Sequence, residues 1–221
     1  MGTITRGFAN NITTSGVFTS SAFNNDSFDN VTSVPSGSVE SGSMVLVSSA
    51  TASASSSIEF TLGDYKEYKL FFVNMHPDAD RFFKFNFSTD SGSTYSVSKT
   101  TTFFKTRHYE SDAAYEFGYE AGYDLAQSTA DQTLTEGSLE GNDNDSSLSG
   151  YMHIFNPSST TYVKHFMANI QQLGKPDGST RTTFNNYIAG YANTTSALTN
   201  IKFVMTSGTI DAGKILMFGI N

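Results

Sequence analysis

Four acidic side chains, Glu110, Asp112, Glu116 and Glu120, cluster in one short stretch, and a pair of facing carboxylates is what acid and base catalysis of glycoside hydrolysis requires. A chain with 21 acidic residues offers many such pairs, so the cluster defines no catalytic site by itself. The run Asn142-Asp143-Asn144-Asp145 places oxygen ligands at alternate positions, as a calcium loop does. No glycine stands at the sixth position of that loop, and Ile154 occupies the place of the bidentate acid, which excludes an EF-hand. Gly208 to Lys214 satisfies the first seven positions of a phosphate-binding loop. Ile215 then replaces the hydroxyl that would hold magnesium, and too few residues follow for the helix that faces the phosphates.

Nucleophilic chemistry finds as little support. The chain has no cysteine, which removes thiol nucleophiles, thiolate metal sites and disulfides. It has no G-x-S-x-G elbow. His76, His108, His153 and His165 show no H-E-x-x-H spacing. His153 and His165 fall in neighbouring expected strands, where a cross-strand pair is one reading and ordinary polar strand positions the other. Tyr115, Tyr119 and Tyr123 offer rings that stack on sugars, although strand tyrosines serve as often to cover a sheet. No catalytic residue, metal ligand or cofactor is assigned, and the chain is read as non-enzymatic.

The elements that would position such residues are strands. Alternation in Ile58, Phe60 and Leu62, and again in Phe83, Phe85 and Phe87 against Lys84, Asn86 and Ser88, has the period of a half-buried strand. Tyr68 to Met75 is apolar on both faces, as in a central strand covered on both sides. Further strands are expected at 44–47, 97–105, 115–123, 148–155, 162–170, 184–192, 201–205 and 214–220. The turn 89–94 reads as a hairpin loop with Gly92 at positive φ, and 207–213 as a second hairpin. Residues 124–147, acidic and poor in aromatics, read as a long exposed loop. Four Gly-Tyr pairs, at Gly118, Gly122, Gly150 and Gly190, suggest rings covering bare strand backbone. About ten strands and no amphipathic helix predict an all-β fold, an antiparallel β-sandwich of jelly-roll type spanning 44–221.

Composition agrees. Of 221 residues, 31 are Ser, 27 Thr and 16 Asn, while 19 Phe and 11 Tyr are too many for a solvated low-complexity chain. A net charge of −8 opposes phosphate backbones, so no nucleic-acid partner is expected. No run approaches the roughly 18 apolar residues needed to span a bilayer, so neither membrane insertion nor a signal peptide is expected.

Residues 1–43 differ from the rest. Phe8, Phe18, Phe23 and Phe28 are spaced by ten and then by five, a period that suits neither a helix face nor a strand face. The segment reads as an extended arm, either a solvated tail or an anchor whose phenylalanines dock singly on a partner. A fully buried Phe contributes on the order of 2 kcal/mol. Fully extended, the arm reaches about 140 Å.

The stretches TRGFANNITTSGVFTSSAFNN, SASSSIEFTLGDYKEYKLFFVNMHP, SGYMHIFNPSSTTYVKHF and KFVMTSGTIDAGKILMFGI resemble a family of virion structural proteins of marine tailed bacteriophages, fibre and decoration proteins among them. The resemblance implies a particle component assembled in the host bacterial cytoplasm, and a homotrimer is expected, since tethering copies through one base raises effective concentration. Its partners would be other virion proteins: capsid, tail or fibre adaptor. The alternative expectation is a host-surface glycan-binding adhesin or a glycan-processing domain of a phage tail.

Overall fold

The computed structural model describes residues 44–175 and 180–221. Among them there is no helix. Twelve strands follow one another: β1 (Met44–Thr51), β2 (Ile58–Thr61), β3 (Glu67–Pro77), β4 (Phe83–Ser88), β5 (Lys99–Tyr109), β6 (Tyr115–Tyr119), β7 (Gln132–Thr133), β8 (Leu148–Phe155), β9 (Lys164–Gly174), β10 (Thr182–Ala192), β11 (Asn200–Met205) and β12 (Ile210–Ile220). They form an eight-stranded sheet, order β1-β12-β3-β8-β9-β10-β5-β6, and a four-stranded sheet, order β2-β11-β4-β7. Every pairing is antiparallel, and the two sheets pack together as a β-sandwich. The all-β expectation holds; these strand orders do not by themselves establish the jelly-roll type.

Alternation decides which side chains meet between the sheets. Ile58, Phe60, Phe83, Phe85, Phe87, Ile201 and Phe203 of the small sheet are buried, as are Tyr68, Leu70, Phe72, Met152, Ile154, Phe166, Ile170, Ile215 and Met217 of the large one. Phenylalanine rings carry the contact between layers. Phe72 meets Phe203 and Phe83 edge-on at 5.2 and 5.7 Å and Phe85 meets Phe166 at 5.3 Å, while Phe83 and Phe203 stack on each other within the small sheet at 5.7 Å. Edge and offset geometries of this kind add to the burial of each ring.

Several expectations are corrected. Gly92 does take a positive φ of 84°, but the turn at 89–94 is no hairpin: β4 lies in the small sheet and β5 in the large one. The segment 206–209 likewise carries the chain from β11 of the small sheet to β12 of the large one. Local alternation signals a strand but not the sheet that strand joins. Gly213, at φ 114°, sits where a Cβ would lie 2.6 Å from the Asn74 carbonyl oxygen, in the bulged part of the β12–β3 ladder. The Gly-Tyr pairs are not ring-covered glycines. Neighbouring backbone lies 2.2 Å from the Cβ position of Gly150 and 2.5 Å from that of Gly190, and the covering ring is found elsewhere, Tyr65 over Gly219.

The stretch 124–147 is not an exposed loop. Leu134 and Leu139 are fully buried, β7 joins the small sheet, and Gln132, Thr135 and Glu136 are buried among polar partners. Gln132 Nε2 donates to the carbonyls of Tyr123 and Thr133, and its Oε1 accepts from Thr101. Glu136 N–H donates to Gln172 Oε1, and Gln172 Nε2 donates back to the Glu136 carbonyl. A polar segment can enter the interior because each desolvated group finds a partner.

Candidate functional site

The strand β3 was expected to be covered on both faces. It is covered on one. Its Tyr68, Leu70 and Phe72 are buried, while Phe71 is only half-buried and Val73 is exposed. The same holds along the large sheet: among the described residues no element packs over its outer face.

The register places a row of side chains across that face. Leu216 of β12 lies opposite Phe71 of β3, Phe71 opposite Tyr151 of β8, and Tyr151 opposite Asn169 of β9. Asn169 faces Tyr187 of β10, Tyr187 faces Phe104 of β5, and Phe104 faces Tyr119 of β6. At the ordinary spacing of neighbouring strands the row is roughly 30 Å long. Tyr187 is 50% exposed, Tyr151 40% and Phe104 39%. A parallel row holds Phe218, Lys69, His153, Met167, Ala189 and Thr102. Between the rows lies a groove of about 240 Å³ bounded by Tyr151, Tyr187, Phe104 and Met167, continuous in residues with a second of about 460 Å³ that reaches Phe155, His165 and Tyr191.

Electrostatics divide this face. On the β3 side, Lys69 Nζ sits 5.2 Å from the Phe71 ring centre and 5.3 Å from that of Tyr151, and His153 Nδ1 pairs with Glu67. On the β9–β10 side the polar groups are amides and hydroxyls, with His165 at one end. Asn169 donates to Asn185 at 2.8 Å, and Gln171 donates to the Thr183 hydroxyl at 2.5 Å. Flat rings beside neutral amides are the chemistry of a contact surface, for sugar rings or for another protein's apolar side chains.

At the far edge, β6 is short and its outward side chains are bare: Tyr115 is 85% exposed and Phe117 73%. Phe104 meets Tyr119 at 5.2 Å and Phe117 at 6.5 Å, so the aromatic row continues onto the sheet edge. Tyr123 departs from the expectation of an exposed ring. It lies past the end of β6 and packs on Phe103 and Phe82, at 5.4 and 5.8 Å.

Of the four clustered carboxylates, from which no catalytic pair was assigned, Glu116 and Glu120 are held by cations. Lys105 Nζ lies 2.7 Å from Glu120, 2.7 Å from Glu136 and 3.6 Å from Glu116, and Arg107 is 2.5 Å from Glu116. Burial acts to lower the Lys105 pKa, but its hydrogen bonds to Glu120 and Glu136 outweigh that and the group is held above its ordinary value. Asp112 bonds His108 at 3.0 Å, and Glu110 is engaged through its backbone N–H with the Arg181 carbonyl. Neither of the latter joins the Lys105 cluster. Glu136, the partner sequence reasoning missed, lay hidden in a segment read as exposed.

The acidic run also faces cations. Arg181 lies 2.5 Å from Asp143 and 3.1 Å from Asp145, and Lys175 lies 3.8 Å from Asp143. The Asp145 backbone N–H and these cations hold the Asp143 carboxyl below its usual range. Among the described residues no group of three or more His, Asp or Glu side chains gathers as metal ligands. β8 and β9 are neighbours, but His153 bonds Glu67 while His165 lies 6.2 Å from the Tyr191 ring, so the two do not pair. The Gly208 to Lys214 run spans the end of the β11–β12 connection and the start of β12, and opens no helix. Phe8, Phe18, Phe23 and Phe28 lie outside the described residues. A scan against protein-family models finds no match for the chain, and a search of curated proteins finds none.

Proposed function

We propose that this chain is a non-enzymatic structural protein of a bacteriophage particle, in which 44–221 is a β-sandwich displayed as fibre, tail appendage or capsid decoration and residues 1–43 are the anchor. One observation carries the reading: strands with apolar residues on both faces build a sheet whose outer face remains open. Contiguous exposed apolar surface of this kind marks an interaction site. The spaced phenylalanines Phe8, Phe18, Phe23 and Phe28 and the resemblance to virion proteins supply the partner class, other virion proteins and further copies of the chain in a trimer. Neutralisation of the Glu116 and Glu120 carboxylates by Lys105 and Arg107 weighs against a glycosidase pair.

The test is incorporation into particles. A chain lacking residues 1–43 is expected to fold with an intact β signature by circular dichroism and to be absent from purified virions. Normal incorporation of that truncation overturns the anchoring role. A second reading, adhesion to a neutral host glycan, is favoured by the neutral amides beside Tyr151 and Tyr187. Saturable binding of the full chain to host polysaccharide, without release of shorter sugars, distinguishes it from a purely architectural role.

A further inference from the structure

Lysine rarely lies fully buried without a carboxylate directly on its amine. Lys99, at the start of β5, has no measurable exposure, and its Nζ donates to two neutral oxygens: Asn86 Oδ1 at 2.6 Å and the Val97 carbonyl at 2.8 Å. Burial, only partly offset by the charge of Asp131, lowers its pKa to about 8, so a much larger share of free amine exists near neutrality than for an exposed lysine.

Asn86, on β4 of the opposite sheet, is itself buried and held at every polar atom. Its Oδ1 accepts the Phe87 backbone N–H at 2.9 Å as well as the Lys99 amine. Its Nδ2 donates to Asp131 Oδ1 at 2.8 Å and to the Thr129 carbonyl at 3.0 Å. Phe85 and Phe87 flank it in sequence and pack on Phe166 at 5.3 and 5.6 Å. An amine is thus held against an amide, with a backbone N–H on the amide oxygen and a carboxyl group on the amide nitrogen, away from bulk water. These are the parts acyl transfer needs: nucleophile, oxyanion donor and a proton carrier at the leaving group.

We propose that Lys99 and Asn86 join in an intramolecular isopeptide bond, with Asp131 as the catalytic acid and base. The Lys99 amine attacks Asn86 Cγ, and the carbonyl electrons move to Oδ1, where the Phe87 N–H stabilises them. Asp131 carries a proton from the attacking nitrogen to Nδ2. The Cγ–Nδ2 bond breaks, ammonia leaves and the carbonyl re-forms. Amine plus primary amide gives secondary amide plus ammonia, with no oxidant or other reactant. The new bond ties β4 of the small sheet to β5 of the large one.

Lys164 supplies the contrast within the same molecule. It too is fully buried, but its Nζ donates to the Thr194 and Ser196 carbonyls, and among the described residues no side-chain amide or carboxylate is its partner. Lys105, gripped by carboxylates, stays an ammonium and no nucleophile.

Mass spectrometry of the purified full-length chain under denaturing conditions tests this. The intact chain is expected to be lighter than its sequence by one ammonia. Trypsin is expected to yield residues 85–105 as one species, uncut after Lys99 and lacking one ammonia; the open chain would give 85–99 and 100–105 separately. Asp131→Asn is expected to fold and keep the full mass, and Lys164→Arg to lose ammonia as the parent does. A folded parent chain with full mass and cleavage after Lys99 overturns the proposal, and ammonia loss at the parental rate in Asp131→Asn overturns the role given to Asp131. If that variant does not fold, the peptide map of the parent chain decides alone.

Discussion

The two faces of the eight-stranded sheet are written by the same strands, residue by alternate residue, yet they serve opposite ends. On the inner face, Phe72, Phe103, Phe166 and Ile188 are fully withdrawn from water; on the outer face, Phe71, Phe104, Met167 and Tyr187 are not. Large apolar rings stand on both faces, but on the outer one they alternate with Lys69, His153, Asn169 and Asn185, so composition and coverage together separate core from contact surface. A soluble sheet needs one apolar face. A second apolar face must be explained by something that comes to it.

Substitutions can break or sharpen this contrast. The largest stability effect is expected inside: Phe203→Ala, which removes a ring packed on Phe60, Phe72, Phe83 and Phe85, should cost about 3–5 kcal/mol in chemical denaturation. Lys105→Met strips the buried Glu136 of its cation and should cost about 3 kcal/mol, and the double variant with Glu136→Leu should recover most of it, because the penalty comes from the stranded charge. Tyr151→Ser with Tyr187→Ser, on the outer face, should change stability by about 0.5 kcal/mol or less while abolishing particle incorporation or glycan binding. A large loss of stability in that last variant would mean the outer rings act as core, and the contrast would fail.

Strand positions were legible from alternation, and β8 was expected at the residues it occupies, Leu148–Phe155. Sheet membership was not, because the period of a strand is the same whichever neighbour it pairs with; β4 and β5 read as a hairpin for that reason. The burial of 124–147 was hidden because its interior groups are Gln132, Thr133, Thr135 and Glu136, which resemble loop residues until their partners on β5, β9 and β10 are known. The candidate surface was half legible. Two-sided apolar character in Tyr68 to Met75 was visible, and only the fold reveals which side stays open. Lys99, Asn86 and Asp131 gave no signal at all, since their meeting depends on a turn that changes sheets.

The first and last strands are partners, with Met44 opposite Ile220 and Thr51 opposite Lys214. Tension entering at Met44 and leaving at Ile220 would therefore peel this ladder one rung at a time, the geometry in which hydrogen bonds resist force least. A load applied at Met44 and resisted through β6, at the other edge, would instead run across the strands and load every ladder of the sheet in series. The mechanical toughness of the body thus depends on where it is gripped.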